Sequence, residues 1–127
     1  MKFQPDLLDG VNHITRFDGD SLRVGPEVFR HSVVVPWVGA VQRWPVVAAD
    51  ALTEAHFEAL LALQPEVVIF GSGARLQFVP PRLHRALIAQ RIGLETMDSG
   101  AACRTYNVLA SEGRRVVAAL LLPPAPD

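Results

Sequence analysis

The spacing of apolar and polar positions changes character partway along the chain. In the first third, short segments rich in Val, Ile, Thr and Phe are separated by Asp18-Gly19-Asp20-Ser21 and Gly25-Pro26, the punctuation of strands joined by tight turns. This predicts an antiparallel meander with strands at about Asn12 to Phe17, Leu22 to Val24 and Val28 to Val35, the last ending where Pro36 removes a backbone donor. From Trp37 to Val47, Gly39 and Pro45 limit regular pairing, and the expectation is irregular chain or short strand.

Beyond residue 50 the apolar positions take up helical spacing, interrupted by continuous apolar runs. Thr53 is placed to cap a helix with Leu52 and Phe57 as a hydrophobic staple, and Phe57, Leu60 and Leu61 share one face. Gln64-Pro65 stops it, because the residue before a proline is pushed out of the α region. Val67 to Phe70 reads as a strand buried on both faces, closed by Gly71. After a loop from Gly71 to Val79, Pro80-Pro81 opens a second helix with Leu83, Leu87 and Ile88 inward and Gly93 at its end. A short strand at Leu94 to Met97 follows. Asp98 or Ser99 caps a third helix with Ala102, Tyr106 and Leu109 on one stripe and Gly113 at its left-handed end. Val116 to Leu122 is the last strand. The fold class this predicts is α/β: a mixed central sheet with helices on both sides, plus an N-terminal antiparallel meander.

Composition narrows the chemistry. The 127 residues, half of them apolar and 20% charged, suit one domain over 1–127 with tails at 1–10 and at the proline-rich 123–127. The formal net charge is −1, so no global positive field collects a phosphate backbone, and nucleic acid is not expected as a partner. Lys2 is the only lysine against eleven arginines, a bias common in proteins of GC-rich bacterial genomes as well as at arginine-dependent interfaces, with source genome the simpler reading. The apolar runs fall short of the roughly 20 residues that cross a bilayer, and Met1 to Gly10 lacks the order of a signal peptide. A cytoplasmic, membrane-free protein is the expectation. A lone Cys103 excludes an internal disulfide and a multi-cysteine metal site, and fits a reducing compartment.

The candidate chemistry is sparse. Gly71-Ser72-Gly73, with Arg75 beyond it, leaves a buried strand where open α/β sheets place ligand loops, and its N–H groups could cradle an anion. Leu76 stands where the dinucleotide fingerprint wants a small residue, and no Gly-Lys-Ser/Thr follows for a P-loop. Cys103 falls in the first turns of the third helix beside Arg104, where the helix dipole favours a thiolate, although no motif ties a histidine to it. A small core cysteine is the competing reading. His13, His31, His56 and His84 show no metal spacing, and His56 and His84 read as polar helix faces. No metal and no cofactor is expected. Trp37, Arg43 and Trp44 either cover an edge of the core or form a protein contact.

The segment from Asp98 to Arg114, with the apolar strand and Pro123-Pro124 after it, the strand exit Phe70-Gly71-Ser72-Gly73 and the opening Pro80-Pro81 together resemble a widespread family of domains of unknown function. It includes a mitochondrial complex I assembly factor and an adipogenesis-associated domain protein, and the resemblance runs from about Val11 onward. The resemblance implies a meander set against a three-layer α/β/α body. It carries no assigned reaction: Gly71, Gly73, Asn107, Glu112, Gly113 and Arg114 match a motif without established chemistry, and Ser72 stands where members commonly have threonine. Three readings remain open. One is a non-catalytic protein-binding or assembly-factor-like module; another is a small-molecule or anion site or enzyme at the Gly71 to Gly73 loop, drawing on Arg75, Cys103, Arg104 or Asn107. The third is a homo-oligomer formed through an edge strand of the meander.

Overall fold

In the computed structural model, which describes residues 10–124, the first strands form the expected meander: β1 (Ile14–Phe17), β2 (Leu22–Val24) and β3 (Glu27–Phe29) pair antiparallel in chain order. A strict period of two would put Ile14 and Arg16 on one face. A bulge between them shifts the register, so that Ile14 faces Val24 and Phe17 faces Leu22 while Arg16 comes opposite Arg23. The extra residue is what allows both apolar side chains to turn inward and the arginine outward.

The expected strand from Val28 to Val35 is two strands in two sheets. β3 ends at Phe29, and β4 (Val33–Val35) belongs to the central sheet. The intervening Arg30-His31-Ser32 breaks the apolar run, and Ser32 uses its hydroxyl to accept from Leu122 N–H (2.9 Å) and to donate to Leu122 C=O (3.3 Å). That side chain fastens the crossover. β4 pairs antiparallel with β5 (Gln42–Arg43) and with β8 (Val116–Leu120). β8 and β7 (Gly93–Met97) flank β6 (Val67–Gly71) in parallel, giving the order β5-β4-β8-β6-β7. β6 and β8 are buried along their whole length, as central strands covered on both faces must be.

One face of this sheet carries the meander and α3 (Ser99–Ser111), with Ile14, Leu22, Ile69, Tyr106 and Ala110 in one core cluster. The opposite face carries α1 (Glu54–Glu58), which tightens into a 3-10 turn at Ala59–Leu63, and α2 (Arg85–Ala89), which follows a 3-10 turn at Pro81–His84. There Trp44, Phe57, Phe70 and Leu87 form the second cluster, the three aromatic rings meeting edge to face at about 6 Å. The layers are therefore helix, sheet, helix, with the meander added to one side.

Two details of the helices differ from expectation. Ile88 is 55% exposed, because α2 is barely more than one turn and only Leu87 reaches the sheet. The helix ends at Ala89, not at Gly93. Arg91 takes the left-handed conformation (φ 59) and its N–H bonds Ile88 C=O, while Ile92 N–H reaches Leu87 C=O. Gly93 is released to start β7. α3 closes as the sequence indicates, with Gly113 at φ 81 and Arg114 N–H on Leu109 C=O. The tails expected at the two ends lie, for residues 1–9 and 125–127, outside the described residues.

Candidate functional site

The carboxyl ends of β6 and β8, where open α/β sheets gather their ligands, meet the start of α3 at one serine. Ser99 is 1% exposed. Its hydroxyl accepts from Gly73 N–H (3.0 Å) and donates to Leu121 C=O (2.8 Å), while its N–H bonds Gly73 C=O (2.8 Å). Asp98 caps the same helix by accepting from Ala101 N–H at 2.9 Å.

Gly71 is required by this closeness. A Cβ there would come within 2.8 Å of Leu120 Cδ2, 2.9 Å of Ser99 Oγ and 3.0 Å of Ser99 Cα. Ser72 donates its N–H to Met97 C=O (2.8 Å) and its hydroxyl to Arg75 C=O (2.6 Å), and it accepts from Gln77 N–H (2.9 Å). The amides of Ser72 and Gly73, which an anion-binding nest would need, thus already have partners. Beside the turn lies an open cleft of about 410 Å³, lined by Val47, Ala48, Gln77, Leu121 and Pro123 among others. Arg75 is exposed and does not line it. Past the turn the chain carries Leu76 (52% exposed) and Phe78 (76% exposed). The sequence gives no sign of this exposure, since an apolar residue in a loop looks the same whether it tucks in or stands out.

The other sequence candidates lie elsewhere. Cys103 is buried in the cluster beneath α3, and desolvation pushes its thiol up to about 12; Arg104 lowers it and Asp98 raises it, neither enough to decide the outcome. Asn107 is used structurally: its Oδ1 accepts from Ile14 N–H (2.9 Å) and its Nδ2 donates to Ile14 C=O (2.8 Å). Cys103, Arg104 and Asn107 therefore do not share the cleft with Ser72 and Gly73.

Trp44 is 3% exposed and packs in the second core, with Nε1–H donating to His56 C=O (3.3 Å). Trp37 packs partly buried against the first core, and its Nε1 is buried without a partner among the described residues. Arg43 is exposed on β5.

The reading of His56 and His84 as plain polar helix faces is corrected. His56 Nδ1 accepts from Thr53 N–H (3.0 Å) and its Nε2 lies 3.3 Å from Pro45 C=O, so the ring completes the cap of α1. His84 is edge-on to Phe57 with Nδ1 buried and unpartnered among the described residues, and desolvation lowers its pKa from 6.5. Among the described residues no group of three or more His, Cys, Asp or Glu is arranged to hold a metal ion, and no helix is long and apolar enough to cross a membrane.

Comparison with known proteins agrees with this architecture. The chain is 35% identical over 102 residues to NADH dehydrogenase [ubiquinone] 1 alpha subcomplex assembly factor 3 of Bos taurus, covering 79% of this chain and 54% of that protein. It thus spans about half the length of that relative. It is 38% identical over 107 residues to an uncharacterised protein of Rhodobacter capsulatus, covering 79% of this chain and 82% of the relative. A crystal structure of a Bordetella parapertussis protein superposes with a TM-score of 0.85 at 37% identity, covering 89% of this chain and 97% of the other. With a match to the family model over residues 14–121, the chain belongs to the family described as protein of unknown function (DUF498/DUF598).

Proposed function

We propose that this chain is a non-catalytic protein-binding module of the assembly-factor kind, and that it holds its partner through the segment leaving the Gly71 to Gly73 turn. One observation carries the reading: that segment is tied to the turn by Arg75 C=O and Gln77 N–H, both bonded to the Ser72 hydroxyl, yet leaves Leu76 and Phe78 exposed. Covering Phe78 is favourable by about 1.5–3 kcal/mol and covering the half-exposed Leu76 by about half as much, and the two bonds to Ser72 lower the ordering cost of presenting them. The name of the bovine relative, an assembly factor of NADH dehydrogenase, supports a role of this kind, with a different partner allowed for this chain.

The test is a photo-cross-linking residue in place of Phe78 in cells expressing the protein at native level. A discrete protein adduct that disappears with Leu76→Ser, and is absent when the probe replaces the exposed Glu112, is the expected result. No adduct, or the same adduct from both positions, contradicts the reading.

A second reading, a small-molecule site or enzyme at the same sheet edge, is favoured by the cleft between Val47 and Leu121. A ligand panel that raises the melting temperature and shifts the Gln77 amide resonance would support it. A panel without effect removes it.

A further inference from the structure

We propose that the outer face of the meander is a docking surface for an acidic segment of a partner protein, held by Arg23 and Arg30 on either side of Val28. This surface is built from meander residues and not from the Leu76 to Phe78 segment, and it goes beyond the function proposed above.

The argument starts from a pairing that costs stability. Arg16 stands directly opposite Arg23 across the β1–β2 ladder, and Arg23 directly opposite Val28 across β2–β3. Like charges facing each other in an antiparallel pair are destabilising. Without the bulge before Arg16 the two guanidinium groups would not share a face, so the local backbone brings them together. Arg30, two residues after Val28, lines the same small cleft of about 100 Å³ together with Arg16, Asp18, Arg23 and Val28. The bulge turns Ile14 and Phe17 inward, but it also sets Arg23 against a second guanidinium on the solvent side, and a locally unfavourable pairing of this kind is expected where a surface serves binding.

The cleft already shows which group it accepts. Asp18 places both carboxylate oxygens on Arg16 Nε, at 2.9 and 3.2 Å. Arg23 and Arg30 are exposed and have no ion-pair partner among the described residues, which leaves two guanidinium groups free for a second carboxylate. Val28, 44% exposed beside them, supplies the apolar contact that accompanies arginine at interface centres. A phosphate polymer fits less well, because its charged backbone offers nothing apolar to cover Val28, which is 44% exposed in the lining of the cleft.

The test uses a short fluorescent peptide of glutamates around a central leucine, titrated at low and physiological salt. Wild-type protein is expected to bind it in a salt-sensitive manner. Arg23→Thr with Arg30→Thr, which keeps a strand-forming residue within β2 and a small polar one just past β3, is expected to weaken binding about tenfold. Because loss alone could reflect misfolding, Arg23→Glu with Arg30→Glu is the second variant, expected to reject the glutamate peptide and bind its lysine counterpart.

Equal binding by all forms, no binding by the wild type, displacement of the peptide by millimolar inorganic phosphate, or tighter binding of a duplex oligonucleotide overturns the inference. If the peptide result is negative while the Phe78 adduct persists, only this inference fails. If the adduct is lost while the peptide result holds, only the proposed function fails.

Discussion

Ser99, Gly71 and Cys103 each show a side chain whose role is set by what surrounds it. Gly71→Ala places a methyl against the Ser99 backbone, which cannot give way as a flexible side chain would. A loss of roughly 2 kcal/mol is expected in chemical denaturation, in the middle of the overpacking range; a change below a few tenths would mean that β6 and α3 are not so close. Cys103 illustrates a contest of magnitudes. The helix dipole and Arg104 favour the thiolate, desolvation opposes it, and desolvation wins, with the thiol raised from 9.0 to about 12. Because the unfolded chain loses that proton first, stability is full below pH 9 and falls as the pH rises towards 12. Tyr106, also raised by burial, adds to the fall above its ordinary value of 10. Cys103→Ala is expected to flatten the pH 9 to 12 limb of a melting-temperature profile, and an unchanged slope would contradict the burial. The dipole argument was open to the sequence; the desolvation was not, since it depends on the sheet beneath α3, with β6 before it and β8 after it in the chain.

Single elements are joined to one another by side chains acting as backbone. Asn107 of α3 completes the pairing of β1 by accepting from Ile14 N–H and donating to Ile14 C=O, and next to it Tyr106 Oη reaches Asn12 C=O (3.0 Å) and Pro36 C=O (3.1 Å). The meander is thus fastened to the helix on the body. Asn107→Ala removes both bonds and is expected to cost about 1–2 kcal/mol. Asn107→Asp keeps one acceptor but turns a charged oxygen towards Ile14 C=O, and should be the more damaging of the two in denaturant titrations; the opposite order would show that the amide is not clamped as described. The elements legible in the sequence were those with local signals. α3 carries its own cap and glycine terminator, and β6 and β8 are continuous apolar runs. The strand from Val28 to Val35 was misread because its division depends on Ser32 meeting Leu122, ninety residues away. Ile88 was misread because helical spacing cannot reveal that α2 is five residues long.

On the scale of the whole molecule, the carboxyl end of the sheet that α/β folds commonly give to ligands is here a structural joint, and the surfaces proposed for recognition are built from other residues. The sequence located that joint, since Gly71-Ser72-Gly73 is visible as a strand exit. It did not show how the joint is closed, because Ser99, Met97 and Leu121 come from three other segments. Nor did it show that Arg16, Arg23 and Arg30 share one face, which follows from a bulge and a ladder register. The central claim is that Ser72 and Gly73 have no amide left for a ligand. Amide hydrogen exchange followed by NMR, with and without millimolar phosphate and nucleotide, reads it directly. The account expects slow exchange at both amides and no ligand-dependent shift; fast exchange at either, with a shift on adding an anion, would contradict it.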